Sequence, residues 1–81
     1  MGYDEWKESN PLRKYRKENG ISQSQLSLEI NVSTATIQYW ESGSMIPNPF
    51  NLEKISVLIK EPDIVKAWSD WYDKRPRLAA A

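Results

Sequence analysis

The side chains that could do chemistry here are few, and their types are narrow. The 81-residue chain has no cysteine and no histidine. Nucleophilic thiols, imidazole bases, disulfides and any zinc site built on those ligands are therefore excluded. Its 11 acidic residues are scattered without a paired-carboxylate pattern, and no glycine-rich phosphate loop is present. Neither an enzyme nor a cofactor or metal site is expected. The remaining polar chemistry is hydrogen bonding by hydroxyls and amides, concentrated between Gln23 and Gly43 in QSQLSLEINVSTATIQYWESG. On helical spacing, Ile37 and Trp40 share one face, with Glu41 on the same side. Thr34, Ala35, Gln38 and Tyr39 are left on the opposite face.

Charge is distributed unevenly. Eleven Lys and Arg balance eleven Asp and Glu, for a net charge of zero. Arg13, Lys14, Arg16 and Lys17 cluster on one short segment. From Glu18 to Glu53 there are four acids and no base. Two readings stand for the basic cluster: a solvated face, or contact with phosphates. A chain this short forms one domain with a small core. It has no run approaching the ~20 apolar residues of a membrane span. Met1–Asn10 lacks the basic-then-apolar pattern of a signal peptide, and a cytoplasmic setting fits the lack of cysteine. Met1-Gly2 and residues 78–81 are read as cloning remnants and kept out of the functional reasoning.

The elements that must position the polar face follow from caps and periodicity. Residues 1–9 have no clear period and are read as an arm, at most a loose helical turn in which Tyr3 and Trp6 could pack on the body. Asn10-Pro11 starts a first helix, since Asn caps free N–H groups and Pro at the first position loses no needed donor; Gly20 ends it. Ser22 and Gln25 form a capping box for a second helix, with Leu26 and Ile30 inward and Asn31 ending it in the left-handed conformation. Ser33 caps a third helix over Thr34–Glu41. Asn48-Pro49 starts a fourth, with Leu52, Ile55, Val57, Leu58 and Ile59 on a broad apolar face. Glu61-Pro62-Asp63 starts a fifth, on which Ile64, Ala67, Trp68, Trp71 and Tyr72 share a face, and Pro76 stops it. The domain is expected over residues 10–75, followed by a tail over 76–81; Lys74, Arg75 and Arg77 make the chain basic across that boundary.

The pattern L-x-x-x-R-x-x-x-G-I-S-Q-x-x-L from Leu12 to Leu26, continued by N-V-S-x-x-T-I-x-x-W-E-x-G from Asn31 to Gly43, resembles the lambda-repressor/Cro type of helix-turn-helix protein. The likeness covers about Asn10 to Ile59. It implies an all-α, compact five-helix domain whose third helix enters the major groove N-terminal end foremost. By that resemblance Thr34, Ala35 and Tyr39, with Ser33 and Gln38 close by, read bases. Gln23, Ser44 and Asn48 match phosphate-contacting positions, and Arg16 pairs with Glu41. The pair is either buried, and then expensive to break, or solvated and nearly neutral. Two departures matter. Asn31 stands at the turn glycine. The reading face has no Arg or Lys, so the bidentate guanine contact is missing, while Gln38 suits adenine and Thr34 and Ala35 suit a thymine methyl. A·T pairs at the centre of each half-site and a shallow salt dependence are expected.

The resemblance implies a sequence-specific transcriptional regulator of phage, plasmid or bacterial origin. Double-stranded DNA would be its partner, and a repressor binding a palindromic operator as a homodimer the expected form. Trp68, Trp71 and Tyr72 on the fifth helix have three possible uses: completing the core, forming the dimer interface, or docking a protein. The last would suit a different class, a protein-interaction module such as an antitoxin or antirepressor.

Overall fold

A computed structural model describes residues 2–76. Arg77 and the presumed cloning remnant over 78–81 lie outside the described residues. Six helices succeed one another: α1 (Tyr3–Glu8), α2 (Pro11–Glu18), α3 (Gln23–Ile30), α4 (Thr34–Ser42), α5 (Pro49–Ile59) and α6 (Ile64–Asp73). The expected five helices are thus α2 to α6. The sixth is α1, formed where an arm was expected.

Local signals set most of the boundaries. Asn10 is wholly buried; its Oδ1 accepts from the Leu12 and Arg13 N–H groups at 3.0 Å each, and its Nδ2 donates to the Trp40 carbonyl at 3.3 Å. The cap of α2 therefore also fixes α2 to α4. The Ser22–Gln25 capping box is complete in both directions. Asn31 adopts φ 63°, which reverses the chain tightly enough for α3 and α4 to cross. Lys60 ends α5 at φ 56°, a left-handed position that no glycine or asparagine announces and that costs about 1–2 kcal/mol in a side-chain-bearing residue. The start of α6 differs from expectation. Pro62 and Asp63 lie in a turn ahead of Ile64, and the Asp63 side chain makes no capping hydrogen bond.

The core runs from Trp6 through Leu12, Leu26, Ile30, Ile37, Trp40, Leu52 and Ile55 to Ile64, Trp68 and Trp71, with Val32, Leu58, Ile59 and Tyr72 packed against it. Val57 does not join it and is 75% exposed. A helix cannot turn Val57, Leu58 and Ile59 inward together, since consecutive residues lie about 100° apart around its axis.

The chain ends are clasped by two indoles. Trp6 and Trp71 stack with centroids 4.2 Å apart and planes 2° from parallel. Each donates its Nε1–H to the other's main-chain carbonyl, Trp6 to Trp71 at 2.6 Å and Trp71 to Trp6 at 2.8 Å. Trp68 meets Trp71 edge-on; its own Nε1 has no hydrogen-bond partner among the described residues, so it contributes apolar area. Of the three uses open to them, Trp68 and Trp71 therefore complete the core: at 2% and 5% exposure they offer a partner little surface. Tyr72 is half-buried and carries the Arg75 guanidinium over its ring, 4.1 Å from the centroid.

Candidate nucleic-acid interface

The polar face of α4 is what remains after the core has taken its share of the helix. Ile37, Trp40 and Glu41 are buried. Ser33, Ala35, Gln38 and Tyr39 are exposed, Tyr39 at 49%. Ser33 caps the helix, its Oγ accepting from the Thr36 N–H at 3.0 Å and lying 2.8 Å from the Thr36 Oγ1. Thr34 is only half-exposed. Its Oγ1 lies 3.4 Å from Ser27 Oγ, whose own proton goes to the Ser24 carbonyl at 2.7 Å. Serine at position 27 therefore ties the α3–α4 crossing instead of merely fitting it, and it engages the hydroxyl of the first residue of α4.

One buried carboxylate holds the first turn of α3, the end of α4 and the middle of α2 together. Glu41 is 2% exposed. Arg16 grips it in a two-point fork, Nε to Oε2 and Nη2 to Oε1, both at 2.9 Å. The third nitrogen of Arg16 donates to the Ile21 carbonyl at 3.3 Å. Such a planar fork is the strong form of a carboxylate contact. The open question left by the sequence is thus answered: the pair is buried. Gln23 Nε2 also donates to Glu41 Oε1, at 3.2 Å, so the Gln23 amide has a structural partner in the position where a phosphate contact was expected. Arg13 bridges to Glu8 at 2.7 Å and approaches Glu41 at 3.7 Å. Its hydrogen bond holds the Glu8 carboxyl below its usual range, and Glu8 in turn raises Arg13. Of the basic cluster on α2, Arg13 and Arg16 are engaged in ion pairs inside the chain, and Lys14 and Lys17 are exposed.

The α4–α5 loop sits beside the C-terminal end of α4. Gly43 adopts φ 79°, and the Tyr39 carbonyl accepts from both Ser44 and Met45 N–H, at 2.9 and 3.2 Å. Ser44 and Asn48 are exposed. Asn48 Oδ1 caps α5 by accepting from Asn51 N–H at 2.8 Å, which leaves its Nδ2 amide as the donor facing outward chemistry. The acids of this region do not crowd α4. Glu29 and Glu53 line a groove between α3 and α5 with Ile30, Phe50, Val57 and Leu58, and Lys54 crosses it to reach the Ile30 carbonyl at 3.0 Å.

Two capped helices joined by a left-handed Asn, a buried ion pair beneath them and an outward amide and hydroxyl face define the helix-turn-helix class of DNA-binding domain. The profile of the helix-turn-helix family matches residues 12–62. The chain belongs to that family, in its Cro/C1 branch of DNA-binding transcription regulators. No curated protein and no solved structure matches the chain. Among the described residues no helix is long and apolar enough to cross a membrane.

Tyr3 and Trp6, expected at most to pack on the body from a loose turn, reach the same region from the other end of the chain. Tyr3 donates its hydroxyl to the Ser42 carbonyl at 2.7 Å, and a Cβ added to Gly43 would come within 2.5 Å of the Trp6 ring. The only signal available was their spacing of three residues.

Proposed function

We propose that the protein is a transcriptional repressor of phage, plasmid or bacterial origin that binds a palindromic operator as a homodimer. In this reading α4 lies in the major groove. Gln38 offers its amide to adenine, Tyr39, Thr34 and Ala35 make apolar and hydroxyl contacts, and Ser33 sits at the leading end. Ser44 and Asn48 meet the flanking phosphates with their side chains, and Gln23 does so with its backbone N–H at the head of α3, since its amide is engaged by Glu41. The observation that carries this reading is the outward face of α4. Ala35, Gln38 and Tyr39 are exposed side chains that the core does not use, on a helix that caps, crossing and ion pair hold rigidly. Repression by occlusion needs no further sensor or activating patch, and it is the simpler outcome for a cytoplasmic domain of this size.

With Trp68 and Trp71 buried, self-association falls to another apolar surface. The groove of Ile30, Phe50, Val57 and Leu58, about 620 Å³, supports that role, because Phe50 and Val57 are exposed without contributing to the core. A two-fold pair would set the two copies of α4 about 34 Å apart, one turn of DNA. Selection from a random duplex pool tests the whole reading. A palindrome with A·T-rich half-sites is expected, Gln38→Ala and Tyr39→Ala abolish its binding with little change in Tm, and Val57→Asp lowers the sedimenting mass towards 9.4 kDa. Unchanged specific binding in both α4 variants overturns the assignment of the reading helix.

The exposed Leu28, Met45, Ile46 and Phe50 favour a second reading, a protein-interaction module such as an antitoxin or antirepressor. One stoichiometric protein partner together with no sequence-selective retention of DNA would reverse the order of the two.

A further inference from the structure

We propose that the cleft at the C-terminal end of α4 is a second backbone-phosphate site, in which Arg75 supplies the positive charge that the helix-turn-helix lacks. The inference rests on the DNA reading above and extends it to residues outside the family match, which ends at residue 62.

The need for such a site follows from charge. No Lys or Arg occurs between Glu18 and Glu53, so α3, α4 and their loops bring only helix N-termini and neutral donors to a polyanion. The nearest cluster, on α2, has two of its four charges engaged by Glu8 and Glu41. Yet most of the affinity of a protein for duplex DNA comes from cations that displace condensed counterions.

The fold answers this need from the end of the chain. Tyr3, Ser42, Ser44, Tyr72 and Arg75 line one cleft of about 740 Å³ with Trp6 at its side. Ser44 is the loop residue already expected at a phosphate, so the cleft is continuous with the proposed interface. The Arg75 guanidinium lies over the Tyr72 ring. Stacking of this kind holds the plane of the fork while its edge N–H groups stay available for an anion's oxygens. The hydroxyls have a definite order. Tyr3 donates to the Ser42 carbonyl, and Ser42 Oγ donates to the Tyr39 carbonyl at 3.2 Å. The proton in the 2.9 Å contact between Ser42 and Ser44 is then that of Ser44, which can turn it to a phosphate oxygen by giving up one hydroxyl contact. The Ser44 N–H is already engaged by Tyr39, so the side chain is the donor. A guanidinium fork and a hydroxyl on one wall suit a phosphodiester of the DNA backbone.

The test is operator binding by the whole chain across a salt series, with the duplex selected above as probe. Arg75→Gln is expected to weaken binding and to reduce the slope of log affinity against log salt by about 1. Between 50 and 200 mM salt the parent should lose about 3.5-fold more affinity than the variant. Ser44→Ala should weaken binding with the slope unchanged, and Arg75→Lys should keep the slope but not the full affinity. Lys66→Gln removes the same charge from an exposed pair with Asp70 outside the cleft and should leave the slope alone. A slope equal to the parent's in Arg75→Gln, or an equal loss in Lys66→Gln, overturns the proposal. If Gln38→Ala still abolishes binding in that case, the DNA reading stands and this site falls. A parent that retains no duplex selectively overturns both.

Discussion

Trp6→Ala tests the largest difference between the arm expected from the sequence and the structure. Trp6 is 1% exposed, stacks coplanar on Trp71 and donates to its carbonyl. Truncating a buried indole costs about 3–5 kcal/mol, including the acceptor left without its donor. At roughly 0.05–0.15 kcal/mol per residue, the whole 81-residue domain has only about 4–12 kcal/mol of stability. The substitution therefore removes between a quarter and the whole of it. With about 4–8 °C per kcal/mol for a domain this size, Tm should fall by about 12–40 °C. Trp6→Phe keeps most of the area, loses the hydrogen bond and half the stack, and should cost on the order of 1–2 kcal/mol. Thermal melts followed by circular dichroism give both numbers. The same spectra carry an independent signature, because two parallel indoles at 4.2 Å couple their transitions. The resulting far-ultraviolet couplet should weaken in Trp6→Phe, which keeps the Trp68–Trp71 edge contact, weaken further in Trp71→Phe, which loses both, and persist in Trp40→Phe. A Trp6→Ala protein melting within about 3 °C of the parent would mean that α1 is not part of the core.

Three further outcomes are expected. Glu41→Leu leaves Arg16 partly buried without its counter-charge and should cost about 3–5 kcal/mol, whereas adding Arg16→Met should recover much of that loss in chemical denaturation; additivity of the Glu41→Leu and Arg16→Met singles would refute coupling. Gly20 and Gly43 both have positive φ, but only Gly43 has the Trp6 ring where a Cβ would go. Gly20→Ala should cost about 1–2 kcal/mol and Gly43→Ala clearly more; equal losses would refute the contact. Glu8 is held below its ordinary value of 4.5, first by the Arg13 hydrogen bond, and Asp70 below 3.8 by Lys66. The folded state thus binds these protons less readily than the unfolded chain. The stability they contribute is present above those ordinary values and is lost as pH falls through the lowered ones. Melts should show the gap between the parent and Glu8→Gln closing below pH 4.5; a gap that stays constant to pH 2 would refute the linkage.

The parts of the fold legible in the sequence are those fixed within a few residues. Asn10, Ser22, Ser33 and Asn48 each cap the helix they were expected to cap, and Asn31 takes the left-handed turn. The Arg16–Glu41 contact was expected by resemblance, but its burial depends on packing of three helices and could not be read locally. The inward face of α6 was visible from its period, whereas what covers that face was not. Its partner is Trp6, 65 residues away, on a six-residue helix with one buried side chain and therefore no periodicity to detect. Lys60 gave no warning of its left-handed cap, because the helix ends there by exhaustion of the apolar face and not by residue preference. On the candidate site, the exposure of Ala35, Gln38 and Tyr39 on α4 was legible, whereas the half-burial of Thr34 against Ser27 was not. Nor were the engagement of Gln23 by Glu41 and the placing of Arg75 in the cleft that Ser44 lines, since each joins elements distant in sequence.

The indole clasp also sets an order of events in time. Closing a loop costs entropy that grows with its length, and contacts distant in sequence are made only after that cost is met. The crossing of α3 on α4 joins neighbouring segments, while Trp6 and Trp71 close the ends of nearly the whole chain. The helix-turn-helix is therefore expected to assemble first and the clasp last. Weakening the clasp then acts on the unfolding rate and leaves the folding rate almost untouched. The lifetime of the folded domain is then expected to depend on two tryptophans that lie outside the motif.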